Sequence, residues 1–243
     1  VLTAIEGASN LLGWAYDGAE DKEKACQAYA AFIKNYSKSK QTPKTMFRLG
    51  TLYIEMSKPD LAAQVLDKLA AEFPDTEEGK LALSSLGRSM YDIGKYDKSV
   101  EAFTKAYAQK IELPIPVLRW VADKLYDSGG THPKEGALLS VKAAQQLLEL
   151  LKKPVLSDWV SKDKAREIAG NAKEETKLVK TFKDKILFDA ANASFWAGDF
   201  EGSLKFMDEL LADDNTPYYF DGRFFRAQVY RALKKYKEAT KDY

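Results

Sequence analysis

His132 is the only histidine among the 243 residues, so a serine or cysteine nucleophile activated by an imidazole base would have to use it. It stands in "GGTHPKEG" (Gly129 to Gly136), a run of turn-forming residues, where an exposed loop imidazole is the expectation. Glu135, three residues on, gives it one carboxylate neighbour, whereas a structural zinc site takes four ligands from a richer set. Cys26 is the only cysteine, which excludes an internal disulfide. It lies inside an apolar helical pattern, away from the basic partner or helix N-terminus that would make its thiolate reactive. Gly129-Gly130 lacks the G-x-x-x-x-G-K frame of a phosphate loop. "ADDNTPYY" from Ala212 lacks the alternating ligands and central glycine of a calcium loop. It reads as a helix end, with Asn215 or Thr216 near the next helix start. The 36 carboxylates offer no dyad distinct from solvated helix faces. The sequence predicts no catalytic residue, no metal and no cofactor.

Composition agrees with a non-catalytic reading and narrows the partners. Apolar residues make up 45% of the chain, enough to bury a core, and 37 Lys and Arg face 36 Asp and Glu for a net charge of +1. That balance removes the usual electrostatic argument for nucleic acid. No stretch approaches the ~18 apolar residues of a membrane span. "VLTAIEGASN" begins without Met, shows no cleavable signal peptide and already reads as helical, so an upstream segment is expected to have been removed. One cysteine suits the cytosol and equally a periplasm in which the chain never used disulfides.

The elements that would position any site announce themselves by repetition. Gly13, Gly50 and Gly87 are spaced by 37 residues. Leu12, Leu49 and Leu86 precede them, and Tyr16, Tyr53 and Met90 follow three later. Twelve residues after each glycine comes a small residue (Ala25, Ala62, Ser99), and four further on a large one (Tyr29, Leu66, Phe103). Apolar spacing at i, i+3, i+4 and i+7 makes both halves amphipathic helices. The glycine lets the second helix approach the first, and an aromatic after the turn, Tyr96 or Phe200, fills the gap between them. "FPDT" (Phe73 to Thr76) then ends the hairpin, because proline cannot continue a helix. One hairpin cannot bury its own stripe, so neighbours must stack.

Met46, Leu49, Gly50, Tyr53, Ala62, Leu66 and Pro74 fall on the signature positions of the tetratricopeptide repeat, and the chain resembles that family. The resemblance implies an all-α, right-handed α-solenoid of about six hairpins and a protein-binding role. The 37-residue step and the "FPDTEEG" link resemble bacterial cell-envelope members, which implies the periplasm or cell envelope. Repeats are expected over 1–152 and 184–243, with an irregular helical insertion at 153–183 that carries no signature. A fourth first helix holds Leu118, Val121, Ala122 and Leu125 on its stripe. A fifth repeat has Ala191, Ser203 and Met207 in register, and a sixth has Ala227, Tyr230, Tyr236, Ala239 and Tyr243. The sixth stops partway through its second helix, which makes self-association through the terminal repeat a third possibility.

First helices line the ligand-facing side of such arrays. The face of each around the glycine slot gives the expected partner-binding residues: Trp14, Arg48, Arg88, Tyr91, Arg119, Trp120, Asp123, Asn192, Trp196, Gln228 and Arg231. Aromatics and arginines are enriched at recognition hot spots, although aromatics at helical spacing also pack between repeats. The arginines suit an acidic segment or a chain-terminal carboxylate. The Lys and Asn clamp with which the family grips a chaperone's C-terminus is not reproduced. Two readings follow: a scaffold for a protein or peptide, or a solenoid serving a small ligand, an enzyme or a transporter through a pocket near Trp159 and Trp196.

Overall fold

The computed structural model describes residues 2–127 and 133–243, with the side chains of 2–6, 127 and 133 left aside. His132 and Gly129-Gly130 therefore lie outside the described residues. All regular structure among the described residues is helical. Residues up to Glu112 form one compact unit and Leu113–Tyr243 a second.

The first unit holds three hairpins: α1 (Leu2–Gly18) with α2 (Lys22–Asn35), α3 (Thr42–Glu55) with α4 (Pro59–Glu72), and α5 (Glu77–Asp92) with α6 (Tyr96–Ala108). Each helix packs on the next in sequence, and α3 also meets α5. The second unit pairs α7 (Ile115–Lys124) with α8 (Pro133–Leu150). Short α9 (Leu156–Trp159) and α10 (Lys162–Ile168) follow, then α11 (Ala172–Ala197) with α12 (Phe200–Leu210), and α13 (Tyr219–Ala232) with α14 (Tyr236–Asp242). The described residues thus form the six expected hairpins.

Local chemistry sets the helix boundaries. Pro43, Pro59 and Pro116 occupy first-turn positions, where a missing N–H costs nothing. Side chains of Asp21, Thr76, Ser161, Asn171 and Asp199 accept from backbone N–H groups at the starts of α2, α5, α10, α11 and α12. Thr76 also donates its hydroxyl to the Phe73 carbonyl at 2.8 Å, so the "FPDT" link is closed at both ends.

The glycine slot works by contact. A Cβ on Gly50 would stand 2.6 Å from Leu66, and one on Gly87 2.5 Å from the Phe103 ring; Gly13 is equally filled by Tyr29. Those three large residues and the small Ala25, Ala62 and Ser99 are all fully buried. In the fifth hairpin Ser203 donates its hydroxyl to the Ala191 carbonyl at 2.8 Å, tying the second helix to the slot itself.

The turns carry a register mark that side-chain identity hides. Glu20, Ser57, Gly94, Gly198 and Lys234 all have φ between 56° and 82°. Each stands seven residues after its slot at 13, 50, 87, 191 or 227. Three of the five are not glycine, and a side chain there costs about 1 kcal/mol. Ser57→Gly is accordingly expected to raise the unfolding free energy by about 1 kcal/mol in urea denaturation. A lower stability would mean that the serine side chain holds the turn.

Candidate functional site

In the second unit, α7 and α11 flank a cavity of about 290 Å³. Arg119, Trp120 and Asp123 line it from α7, and Phe182, Lys185 and Asp189 from α11. The Arg119 guanidinium lies 4.7 Å from the centroid of the Phe182 ring, and its Nη1 donates to the Trp159 carbonyl at 3.3 Å. Trp159 is 4% exposed and packs on Phe182 with centroids 5.3 Å apart. The irregular segment between α8 and α11 therefore braces the rings that hold Arg119 in place.

Across the cavity, Lys185 Nζ donates to Asp123 Oδ1 at 2.8 Å and to Asp189 Oδ2 at 2.7 Å. Burial pushes the Asp189 carboxyl up to about 6, against the pull of Lys185. Burial also works against charge on Lys185, yet its bonds to Asp123 and Asp189 outweigh that and raise its pKa. On Asp123, burial is likewise outweighed by hydrogen bonds from Lys185 and Lys124, and its pKa falls. The result is a fixed rim of two cations and two carboxylates over aromatic walls, with Lys185 held between the acids and Arg119 against Phe182.

In the first unit, Arg48 joins neighbouring repeats. Its Nε and Nη2 each donate to Asp17 at 2.6 Å, and its Nη1 donates to Glu55 at 2.9 Å. Asp17 also accepts from the Tyr29 hydroxyl at 3.2 Å, and Lys22 closes on Glu55 at 2.8 Å. The tyrosine filling the Gly13 slot thus aims the carboxylate that grips the next repeat. Trp14 stands beside a wider groove of about 500 Å³ between α1 and α3, lined also by Asn10, Leu11, Gln41 and Lys44. On α5, Arg88 is exposed and Tyr91 meets Tyr96 edge to face at 5.0 Å.

A tetratricopeptide repeat family model matches residues 11–39 and 44–76, which span the α1–α2 and α3–α4 hairpins. In these two hairpins the chain carries the tetratricopeptide repeat. Its fold is similar to that of a tetratricopeptide repeat protein from Parabacteroides merdae, at 12% identity and a TM-score of 0.50, covering 98% of this chain and 90% of that one. It is also similar to a MamA protein, at 15% identity and a TM-score of 0.53, covering 86% and 91%. No curated protein matches the sequence.

The remaining expected residues are dispersed over α11 and α13. The Asn192 amide donates to the Phe188 carbonyl of its own helix at 2.8 Å. Trp196 is 55% exposed, its ring edge-on to Phe195. Gln228 is half-buried and Arg231 exposed. Cys26 is buried, its thiol pushed up by burial. No described helix is long and apolar enough to cross a membrane. Sequence reasoning missed Phe182, Lys185 and Asp189: Phe182 lies in the 153–183 segment without a repeat signature, and Lys185 and Asp189 precede the fifth slot, outside the positions read from it. The i, i+4 pair of Lys185 and Asp189, opposite the acid on α7, is the signal that was there to read.

Between the second helices α4 and α6 lies a further cavity, of about 310 Å³. Two of its three lysines are matched by neighbours: Lys95 pairs with Asp60, and Lys105 with Glu101 at 3.0 Å.

Proposed function

We propose that this protein is a non-catalytic scaffold that binds a protein or peptide segment across the first helices of its hairpins. The observation carrying this reading is where its solvent-facing rings stand. Trp14, Trp196, Phe220 and Phe224, each 40% exposed or more, lie on the first helices α1, α11 and α13, and the other two such rings, Tyr236 and Tyr243, lie at the two ends of α14. Exposed Trp and Phe leave apolar surface in water that only a partner would bury, and such rings dominate binding energetics. Arg88 and Arg119 on α5 and α7 add the charge-assisted contacts that an acidic segment or a terminal carboxylate would take. The "FPDTEEG" link and 37-residue step support a place in bacterial cell-envelope assembly.

A second reading draws on the cavity between α7 and α11. Its aromatic walls and fixed charges have the make-up of a small-molecule site, which would suit an accessory subunit.

Capture from a bacterial lysate tests the first reading. Wild type is compared with Arg88→Glu/Arg119→Glu/Trp120→Ala, with circular dichroism confirming equal helix content. The expected result is a protein retained by wild type and at least tenfold less by the variant. Equal retention would move the binding surface off these first helices.

A further inference from the structure

The scaffold reading leaves open whether the partner offers an acidic segment or a terminal carboxylate and what accompanies it, and the α1–α3 groove carries information about both. From Lys24 to Ile54 there is no aspartate or glutamate in 31 residues, while Lys24, Lys34, Lys38, Lys40, Lys44 and Arg48 stand in the same span. In a chain of net charge +1 that is a segregated positive field. Lys24 is matched by Asp21 at 2.8 Å and Arg48 by Asp17 and Glu55. Lys34, Lys38, Lys40 and Lys44 form no ion pair with a described carboxylate and are all exposed.

One of these four lysines, Lys44, lines an apolar groove, and Lys38 and Lys40 stand within three residues of Gln41 on its wall. Lys34 lies in the last turn of α2, Lys38 and Lys40 occupy the turn that leads to Gln41, and Gln41 and Lys44 form one wall of the groove. The other wall is Leu11, 67% exposed, and Trp14, 40% exposed. Lys44 Nζ sits 5.1 Å from the Trp14 ring centroid, so cation and ring face the same space. Behind them Asn10 donates its amide to Gln41 and accepts from the Thr45 hydroxyl at 3.1 Å, which fixes the depth of the groove. Its volume of about 500 Å³ is ample for a large side chain.

We propose, resting on the scaffold reading, that the α1–α3 groove docks an acidic peptide segment of a partner protein. One apolar side chain enters against Leu11 and Trp14, and flanking carboxylates face Lys38, Lys40 and Lys44. Charge complementarity selects this occupant: unmatched ammonium groups beside a hydrophobic slot favour anions flanking an apolar anchor and repel a basic chain. The concave groove favours a side chain over a flat lipid surface, and it requires no terminal carboxylate.

The test is calorimetric titration of the full chain with a peptide of Asp and Glu around a single Phe, amide-capped so that it carries no terminal carboxylate. Binding that weakens at least tenfold in Lys40→Glu/Lys44→Glu, weakens likewise in Trp14→Ala, and falls steeply as salt rises would support the proposal. All three altered side chains are solvent-facing, and matching thermal transitions confirm that the variants fold. Equal binding of the Lys-for-acid version of the peptide, or no loss in the lysine variant, would overturn it. So would binding of phosphatidylserine vesicles without binding of the peptide. If the peptide fails while wild type still captures a protein through Arg88, Arg119 and Trp120, this inference falls and the scaffold reading stands. If both fail, both fall.

Discussion

Valine in place of Gly87 is expected to lower the unfolding free energy of the first unit by about 3 kcal/mol. Its Cβ would stand 2.5 Å from the Phe103 ring. That ring is fully buried, so it has no solvent side into which to withdraw. Valine is a slightly better helix former than glycine, but that difference is only a few tenths of a kcal/mol and does not offset the clash. Gly7 provides the control, because an added Cβ there meets nothing within 4 Å. Gly7→Ala is expected to stabilise α1 by up to about 1 kcal/mol. Trimming the opposing ring, Phe103→Ala, should recover part of the Gly87→Val loss, since the two positions share one volume. Urea denaturation of the four chains decides it. A neutral Gly87→Val would mean that the helices of this hairpin are not in contact at the slot.

Arg48→Met is expected to cost about 2 kcal/mol, against roughly 0.5 kcal/mol or less for the same change at the exposed Arg88. Removing the guanidinium leaves the Asp17 carboxylate, 12% exposed, with the Tyr29 hydroxyl as its remaining short contact. The hydrogen bonds from Arg48 hold the Asp17 carboxyl below the ordinary range, against the opposing effect of burial. A carboxyl depressed in the folded chain contributes stability above its unfolded pKa of about 4 and loses it as pH falls through the lower folded value. The gap between wild type and Arg48→Met should therefore be full at pH 7 and shrink below pH 4. A gap that stays constant into acid would assign the loss to packing of the arginine stem.

The array was legible because its signals are steric and repeat. A glycine facing a large residue 16 positions later, with a small one between, leaves the same trace at 13, 50 and 87. Helix-breaking links mark the hairpin boundaries independently. The left-handed turn residue was not legible at Glu20, Ser57 and Lys234, because tertiary packing overrides the preference for glycine there. The face of each first helix was readable, but the partners of its side chains were not. Arg48 looked like one of three arginines awaiting an anion, and its anion turned out to be Asp17, 31 residues earlier in the adjoining repeat. Arg119, Trp120 and Asp123 do share a cavity. Its opposite wall comes from Phe182, in the stretch without a repeat pattern, and from Lys185 and Asp189, which precede the fifth slot and lie outside the positions read from it.

Hydrogen exchange on wild type, free and bound to the protein it captures, tests the scaffold reading most directly. Slowed exchange confined to α1, α3, α5, α7, α11 and α13 is the expected result, because those helices carry the exposed rings and arginines. Slowing confined to α4 and α6, beside the charge-matched cavity, would contradict it and place the partner on the second helices.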